Sequence, residues 1–123
     1  MKNGSGTQTI GGATNSYTGN VTVNGGTLIA GGNASSTALG SPTTAGRTVT
    51  VNNSGSTLSF TTNNVFGNGV GNANLPATTL NAGTTLTSTR YNVLGPVTLN
   101  GATLTQSTTD TGAYEGLQFK GAV

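Results

Sequence analysis

Two acidic side chains are the residues of this chain whose chemistry could support catalysis. Asp110 and Glu115 lie close together in the segment TTDTGAYEG, and two carboxyl groups held at a suitable separation hydrolyse glycosidic bonds. The sequence contains no His and no Cys, which excludes His-dependent acid–base catalysis, Ser-His-Asp and Cys-His nucleophiles and ordinary zinc sites. Because isolated Asp and Glu side chains almost always stay in water, we interpret both as solvated loop charges. We therefore expect no enzyme activity, no metal and no cofactor.

The basic residues are equally sparse. Lys2, Arg47, Arg90 and Lys120 are scattered along the chain, whereas nucleic-acid phosphates and anionic lipids are bound by clustered positive charges. No apolar run reaches the length of a signal peptide core or a membrane-spanning helix. We expect neither nucleic-acid binding nor membrane insertion of this segment.

The composition favours many short strands joined by many corners. The 123 residues include 26 Thr and 21 Gly, and only 5% are charged. β-Branched residues favour strands, while Gly and Asn accept the left-handed backbone of tight corners. A chain of this length is too short for two well-packed cores, so residues 1–123 are interpreted as one structural unit.

An internal repeat is the strongest pattern in the sequence. Its copies are VTVNGGTLIA from Val21, VTVNNSGSTLSF from Val49, TTLNAGTTLTS from Thr78 and VTLNGATLTQ from Val97. Each has alternating apolar and Thr residues, an Asn, a Gly-containing corner and then Thr-Leu, which is the period of two of a strand with one buried face. The aligned copies define an Asn column and a Leu column, formed by Asn24, Asn52, Asn81 and Asn100 and by Leu28, Leu58, Leu86 and Leu104.

Stacking of these copies about 4.8 Å apart predicts an all-β fold, a parallel β-helix of about five coils. The Asn column would then hydrogen-bond from coil to coil, inside or at a corner. Successive Asn residues differ by 28, 29 and 19 positions, so the longer intervals predict loops that protrude at residues 33–47 and 63–77. The alternative is an antiparallel meander with Asn-Gly hairpin turns.

Some aromatic and Thr positions leave alternatives open. Phe60 and Phe119 fall at strand positions and are predicted to be core. Phe66 lies in a Gly/Asn-rich stretch, where it either covers that loop on the core or contacts a partner. Strand propensity explains the outward Thr columns, with ice binding or carbohydrate binding as weaker alternatives.

Residues 4–32 resemble the autotransporter-associated β-strand repeat of bacterial passenger domains. The resemblance includes a Gly-Thr strand, the motif Asn-x-Tyr-Thr-Gly at Asn15 to Gly19 and Val-Asn-Gly-Gly-Thr-Leu at Val23 to Leu28. Residues 47–60 and 91–106 resemble degenerate copies of its second half. The resemblance implies a right-handed parallel β-helix that is secreted or displayed on the surface of a Gram-negative bacterium.

These observations predict a structural role as a rigid extracellular stalk or scaffold of a passenger or adhesin. The expected partners are neighbouring coils of a longer chain or other copies of this one, with a host surface or a carbohydrate as a further ligand. The chain shows no C-terminal membrane β-barrel pattern, so we expect it to be a fragment. The alternative function is a filament subunit that stacks end to end through its strand edges.

Overall fold

The computed structural model describes residues 1–12, 14–31, 37–41, 43–67, 73–107 and 116–123. Within these ranges the chain forms short strands and turns, and it contains no helix long and apolar enough to cross a membrane. The strands are β1 Thr7–Ile10, β2 Val21–Val23, β3 Thr27–Ala30, β4 Thr48–Val51, β5 Thr57–Phe60, β6 Ala77–Leu80, β7 Thr85–Ser88, β8 Asn92–Leu94, β9 Val97–Leu99, β10 Thr103–Gln106 and β11 Leu117–Phe119.

The strands form stacked parallel sheets. A five-stranded sheet has the order β1-β3-β5-β7-β10, a four-stranded sheet has the order β2-β4-β6-β9, and β8 pairs with β11. All of these pairings are parallel, and each strand pairs with its equivalent one coil later in the chain. The predicted parallel β-helix is therefore confirmed, and the antiparallel meander is wrong.

Alternation along β2 to β7 decides which of their side chains form the core. In β4, Val49 and Val51 are fully buried while Thr50 between them is half-buried on the outer surface. The corner after β4 then lets β5 point Leu58 and Phe60 into the same interior. Burial of these side chains from two sheets at once supplies the hydrophobic stabilisation that a single short strand lacks.

The two segments predicted to protrude lie partly in the core, which corrects the boundaries 33–47 and 63–77. Ala38 and Leu39 are buried in the first segment, and Val65 and Phe66 are buried in the second. Together with β8 and β11 these residues form a third side of the helix. Its coils are joined by backbone bonds from Leu39 N to Val65 O (2.9 Å), Asn64 N to Tyr91 O (3.0 Å) and Asn92 N to Gly116 O (3.1 Å).

The physical reason for this correction is that each segment contains a short apolar pair that the neighbouring coils can cover. The pairs are Ala38-Leu39 and Val65-Phe66. Residues 33–36, 42 and 68–72 of these predicted loops lie outside the described residues.

The coil that contains β9, β10 and β11 has a more exposed interior surface. Leu99 and Phe119 are each 41% exposed, and Leu104 is only half-buried. The prediction that Phe119 is a core residue is therefore wrong for this structure. Phe119 follows the strand period but has no described strand packed on its other side.

Candidate functional site

The predicted Asn residues lie next to one another at the corner between the two larger sheets. Asn24, Asn52 and Asn81 are half-buried and Asn100 is exposed, so the column is at the corner and not in the interior. Each side-chain amide donates to the Asn of the preceding coil. The bonds are Asn24 Nδ2 to Asn3 Oδ1 (3.0 Å), Asn52 Nδ2 to Asn24 Oδ1 (2.9 Å), Asn81 Nδ2 to Asn52 Oδ1 (2.6 Å) and Asn100 Nδ2 to Asn81 Oδ1 (3.0 Å).

Asn3 is also part of this column and was missed by the sequence analysis. It follows Met-Lys and not a Val-Thr-Val pattern, so it does not align with the four repeat copies. Lys2 nevertheless forms a parallel bridge with Val23, which brings Asn3 opposite Asn24. The Asn3-Gly4 pair was the available signal, because Asn24 and Asn100 are also followed by Gly.

The Leu residues of the predicted column are also in register. Leu28 pairs with Leu58, Leu58 with Leu86 and Leu86 with Leu104. The first three side chains are buried and Leu104 is half-buried in the last of these coils. A slip of one residue would turn every Leu outward, so this column and the Asn column specify the same register.

Phe66 is a core residue of the third side. Its side chain is 2% exposed, and its ring packs edge-on against Phe60 with 5.7 Å between the ring centroids. This position corrects the alternative in which Phe66 contacts a partner, because the ring is covered by its own chain. The Gly/Asn-rich sequence around Phe66 predicts a loop in which Phe66 either covers the core or contacts a partner.

Asn92 is a second residue that the sequence analysis missed. It is fully buried, its Oδ1 accepts from Val65 N (2.8 Å), and its Nδ2 donates to Thr62 O (3.0 Å) and Ser88 Oγ (3.2 Å). Buried amides are tolerated when they are bonded in this way, and they then specify one arrangement of the backbone around them. The signal was its distance of 28 residues from Asn64, a full coil length.

Arg47 is a buried cation at the corner that precedes β4. Its guanidinium donates from Nε to Gly19 O (3.0 Å), from Nη1 to Ser41 O (3.0 Å) and from Nη2 to Leu39 O. The chain's only acidic side chains are outside the described residues, so carbonyl dipoles and not a described carboxylate compensate this charge.

The ring of Tyr17 lies against the planar face of the Arg47 guanidinium. The guanidinium carbon lies 5.4 Å from the centroid of the Tyr17 ring, a cation–π distance. Burial raises the pKa of the Tyr17 hydroxyl above 10.0, and the neighbouring positive charge of Arg47 opposes this rise. Arg47 and Tyr17 come from successive coils, so their contact joins those coils.

The structure contains no evident catalytic cluster in the part of the chain that it describes. Asp110 and Glu115, the candidate carboxylates, lie outside the described residues. A cavity of about 260 Å³ is lined by residues of the first two coils, among them Gln8, Ile10 and Tyr17, and none of the described residues that line it is acidic. The described residues include no group of three or more potential metal-ligating His, Cys, Asp or Glu side chains.

Comparison with known families finds a similarity in the first coils. The family model for the passenger-associated-transport-repeat matches residues 2–30, which include β1, β2, β3 and the Asn15-x-Tyr17-Thr18-Gly19 motif. Comparisons with curated proteins and with solved structures gave no match. The matched region overlaps residues 4–32, whose sequence resembles the autotransporter-associated repeat, and residues 2–30 of this chain are similar to a passenger-associated transport repeat.

Proposed function

We propose that this chain is an extracellular segment of an autotransporter-like passenger or adhesin of a Gram-negative bacterium, in which the β-helix is a rigid stalk or scaffold. The observation that carries the proposal is the match of residues 2–30 to the passenger-associated-transport-repeat, whose strands β1, β2 and β3 belong to the same parallel sheets as the strands of the later coils. Passenger domains that contain this repeat are secreted or displayed on the cell surface, and we expect the same of this chain.

The bonding between coils supports the scaffold role. The two larger sheets, the Asn column and the third side each join one coil to the next. Bending such a rod must lengthen hydrogen bonds on at least one side, because the bonds run along the stacking direction on all sides. Specific binding elements carried by the rod would thus keep a fixed distance from the cell.

Surface display is tested in a Gram-negative host that expresses the full parent gene. Antibodies raised against this chain are applied to intact and to permeabilised cells, and protease is applied to intact cells. We expect labelling and protease sensitivity on intact cells, with a periplasmic marker as the negative control. Labelling that requires permeabilisation would contradict the proposal.

The same proposal assigns no catalytic role to this segment. The purified chain is assayed for release of reducing ends from neutral and acidic polysaccharides, beside a variant with Asp110→Asn and Glu115→Gln. We expect no release by either protein. Release that the double variant abolishes would overturn this part of the proposal and identify a glycosidase, since paired carboxylates are what such an enzyme requires.

A filament subunit is the second candidate function, and the exposed coil of β9 to β11 favours it. Leu99 and Phe119 continue interior columns yet are 41% exposed, so another coil packed against them would bury apolar area. A concentration series is followed by light scattering and electron microscopy. Polymers that Leu99→Lys prevents would support the filament, and a monomer at all concentrations would support the simple stalk.

A further inference from the structure

The Asn-x-Tyr-Thr-Gly motif at residues 15–19 lies between β1 and β2 and outside the strands of its own coil. It is nevertheless bonded to the coil that follows, at Asn15, Tyr17 and Gly19. The four bonds run from Asn15 N to Thr37 Oγ1 (3.0 Å), Asn15 Nδ2 to Ala38 O (2.9 Å), Ser41 N to Tyr17 O (2.9 Å) and Arg47 Nε to Gly19 O (3.0 Å).

Arg47 is the residue of the following coil that completes this contact. The pairing of β2 with β4, and the bond from Thr48 N to Asn20 Oδ1 (2.9 Å), place Arg47 opposite Gly19. Its planar guanidinium reaches three carbonyl oxygens of two coils while its face lies on the Tyr17 ring. A lysine ammonium lacks this planar arrangement of donors and its stacking face.

The neighbouring glycine shows how closely the two coils approach. Gly40 has a positive φ of 96°, and a Cβ there would lie 2.6 Å from Tyr17 O and 2.7 Å from Arg47 Nη2. Any side chain at this position would therefore separate the motif from Arg47. The close approach requires both a left-handed backbone and the absence of a side chain.

We propose that the Asn-x-Tyr-Thr-Gly motif is the surface by which this repeat recognises the coil that follows it. Its ligand is an arginine at the position before the first strand of that coil, together with the Gly-containing turn at residues 37–41. This inference goes beyond the scaffold function, because it assigns a binding partner to the motif. The contact explains why residues 37–41 lie against the helix and do not protrude.

The proposal is tested by hydrogen exchange of the full chain with Arg47→Met and Arg47→Lys variants. The amide of Ser41 bonds Tyr17 O, whereas the amide of Asn92, bonded to Gly116 O, reports on distant coils. We expect Arg47→Met to raise exchange of Ser41 at least tenfold and to leave Asn92 unchanged. We expect Arg47→Lys to raise exchange of Ser41 nearly as much, because the Arg47 donors are spread over three nitrogens of a planar group and a lysine ammonium does not reproduce that arrangement.

Two further measurements separate recognition from general destabilisation. The Tyr17 pKa, followed by NMR of its ring, should rise in Arg47→Met because the opposing positive charge is lost, and should rise less in Arg47→Lys. A Tyr17→Leu variant should raise exchange of Ser41 as well, and Arg47→Met should add little in that background. Equal exchange increases at Ser41 and Asn92, additive effects of the two substitutions, or an unchanged Tyr17 pKa would overturn the proposal.

Discussion

Asn52 is the residue through which three coils share one hydrogen-bonded column. Its amide donates to Asn24 and its carbonyl accepts from Asn81. We expect Asn52→Ala to lower the free energy of unfolding by about 1–3 kcal/mol, because both neighbours lose a partner at a half-buried corner. Equilibrium urea unfolding measures this change, with Thr50→Ala on the adjacent outer surface as the matched control. A loss no larger than that of the control would contradict a stabilising column.

An Asn52→Asp variant tests the direction of the column. A carboxylate at this position can accept from Asn81 but would set a negative oxygen against Asn24 Oδ1, which now accepts. We expect a greater loss than for Asn52→Ala at neutral pH and partial recovery below pH about 4, where a carboxyl group is protonated and can donate. A variant equally stable at both pH values would show that the column has no fixed direction.

The Leu column allows the same Leu→Ala substitution to be compared at positions that differ in burial. Leu58 is fully buried, while Leu104, two strands further along the same column, is half-buried. We expect Leu58→Ala to cost about 2–5 kcal/mol and Leu104→Ala clearly less, since only the first leaves a closed cavity. Thermal and urea unfolding of the two variants measure the difference. Equal losses would indicate that another coil covers Leu104 in solution.

The strands of the two large sheets could be predicted from the sequence because their side chains alternate with a period of two. Val49, Val51 and Leu58 follow this alternation, and the repeat aligns their neighbours. The third side could not be predicted in the same way. Its strands have three residues, and Asn92, Val93 and Leu94 of β8 are all buried, so no alternation exists to be detected.

Phe66 packs the third side of the helix against Phe60 of β5. Substituting Phe66 tests whether the third side contributes to the core. We expect Phe66→Ala to lower the free energy of unfolding by about 3–5 kcal/mol, because a buried ring that packs against Phe60 is lost. Phe119→Ala removes an equal ring from a 41% exposed position and should cost clearly less. Urea unfolding compares the two. A smaller loss for Phe66→Ala than for Phe119→Ala would mean that the Phe66 ring is not held in the core, as in the alternative in which it contacts a partner.

At the scale of the whole molecule, contacts between stacked coils stabilise the fold, and ion pairs between charged side chains contribute little. Only six of the 123 side chains are those of Lys, Arg, Asp or Glu. The charge of the buried Arg47 is compensated by backbone carbonyl groups. Long-range electrostatic effects should therefore be small. We expect the melting temperature to change little between low and high NaCl concentration, since salt mainly screens exposed charges.

The pH dependence of stability should accordingly come from few groups, and Tyr17 contributes at the alkaline end. Burial raises its pKa above 10.0 in the folded chain, so folding favours the protonated hydroxyl. Its contribution is complete below the unfolded pKa of about 10 and is lost as the pH rises through the folded value. We expect the unfolding free energy of the chain to fall more steeply above pH 10 than that of Tyr17→Phe, measured by urea unfolding at pH 8 to 11. Parallel curves for the two proteins would show that Tyr17 ionises as freely in the folded chain as in the unfolded one, and that the contact with Arg47 leaves its hydroxyl in water.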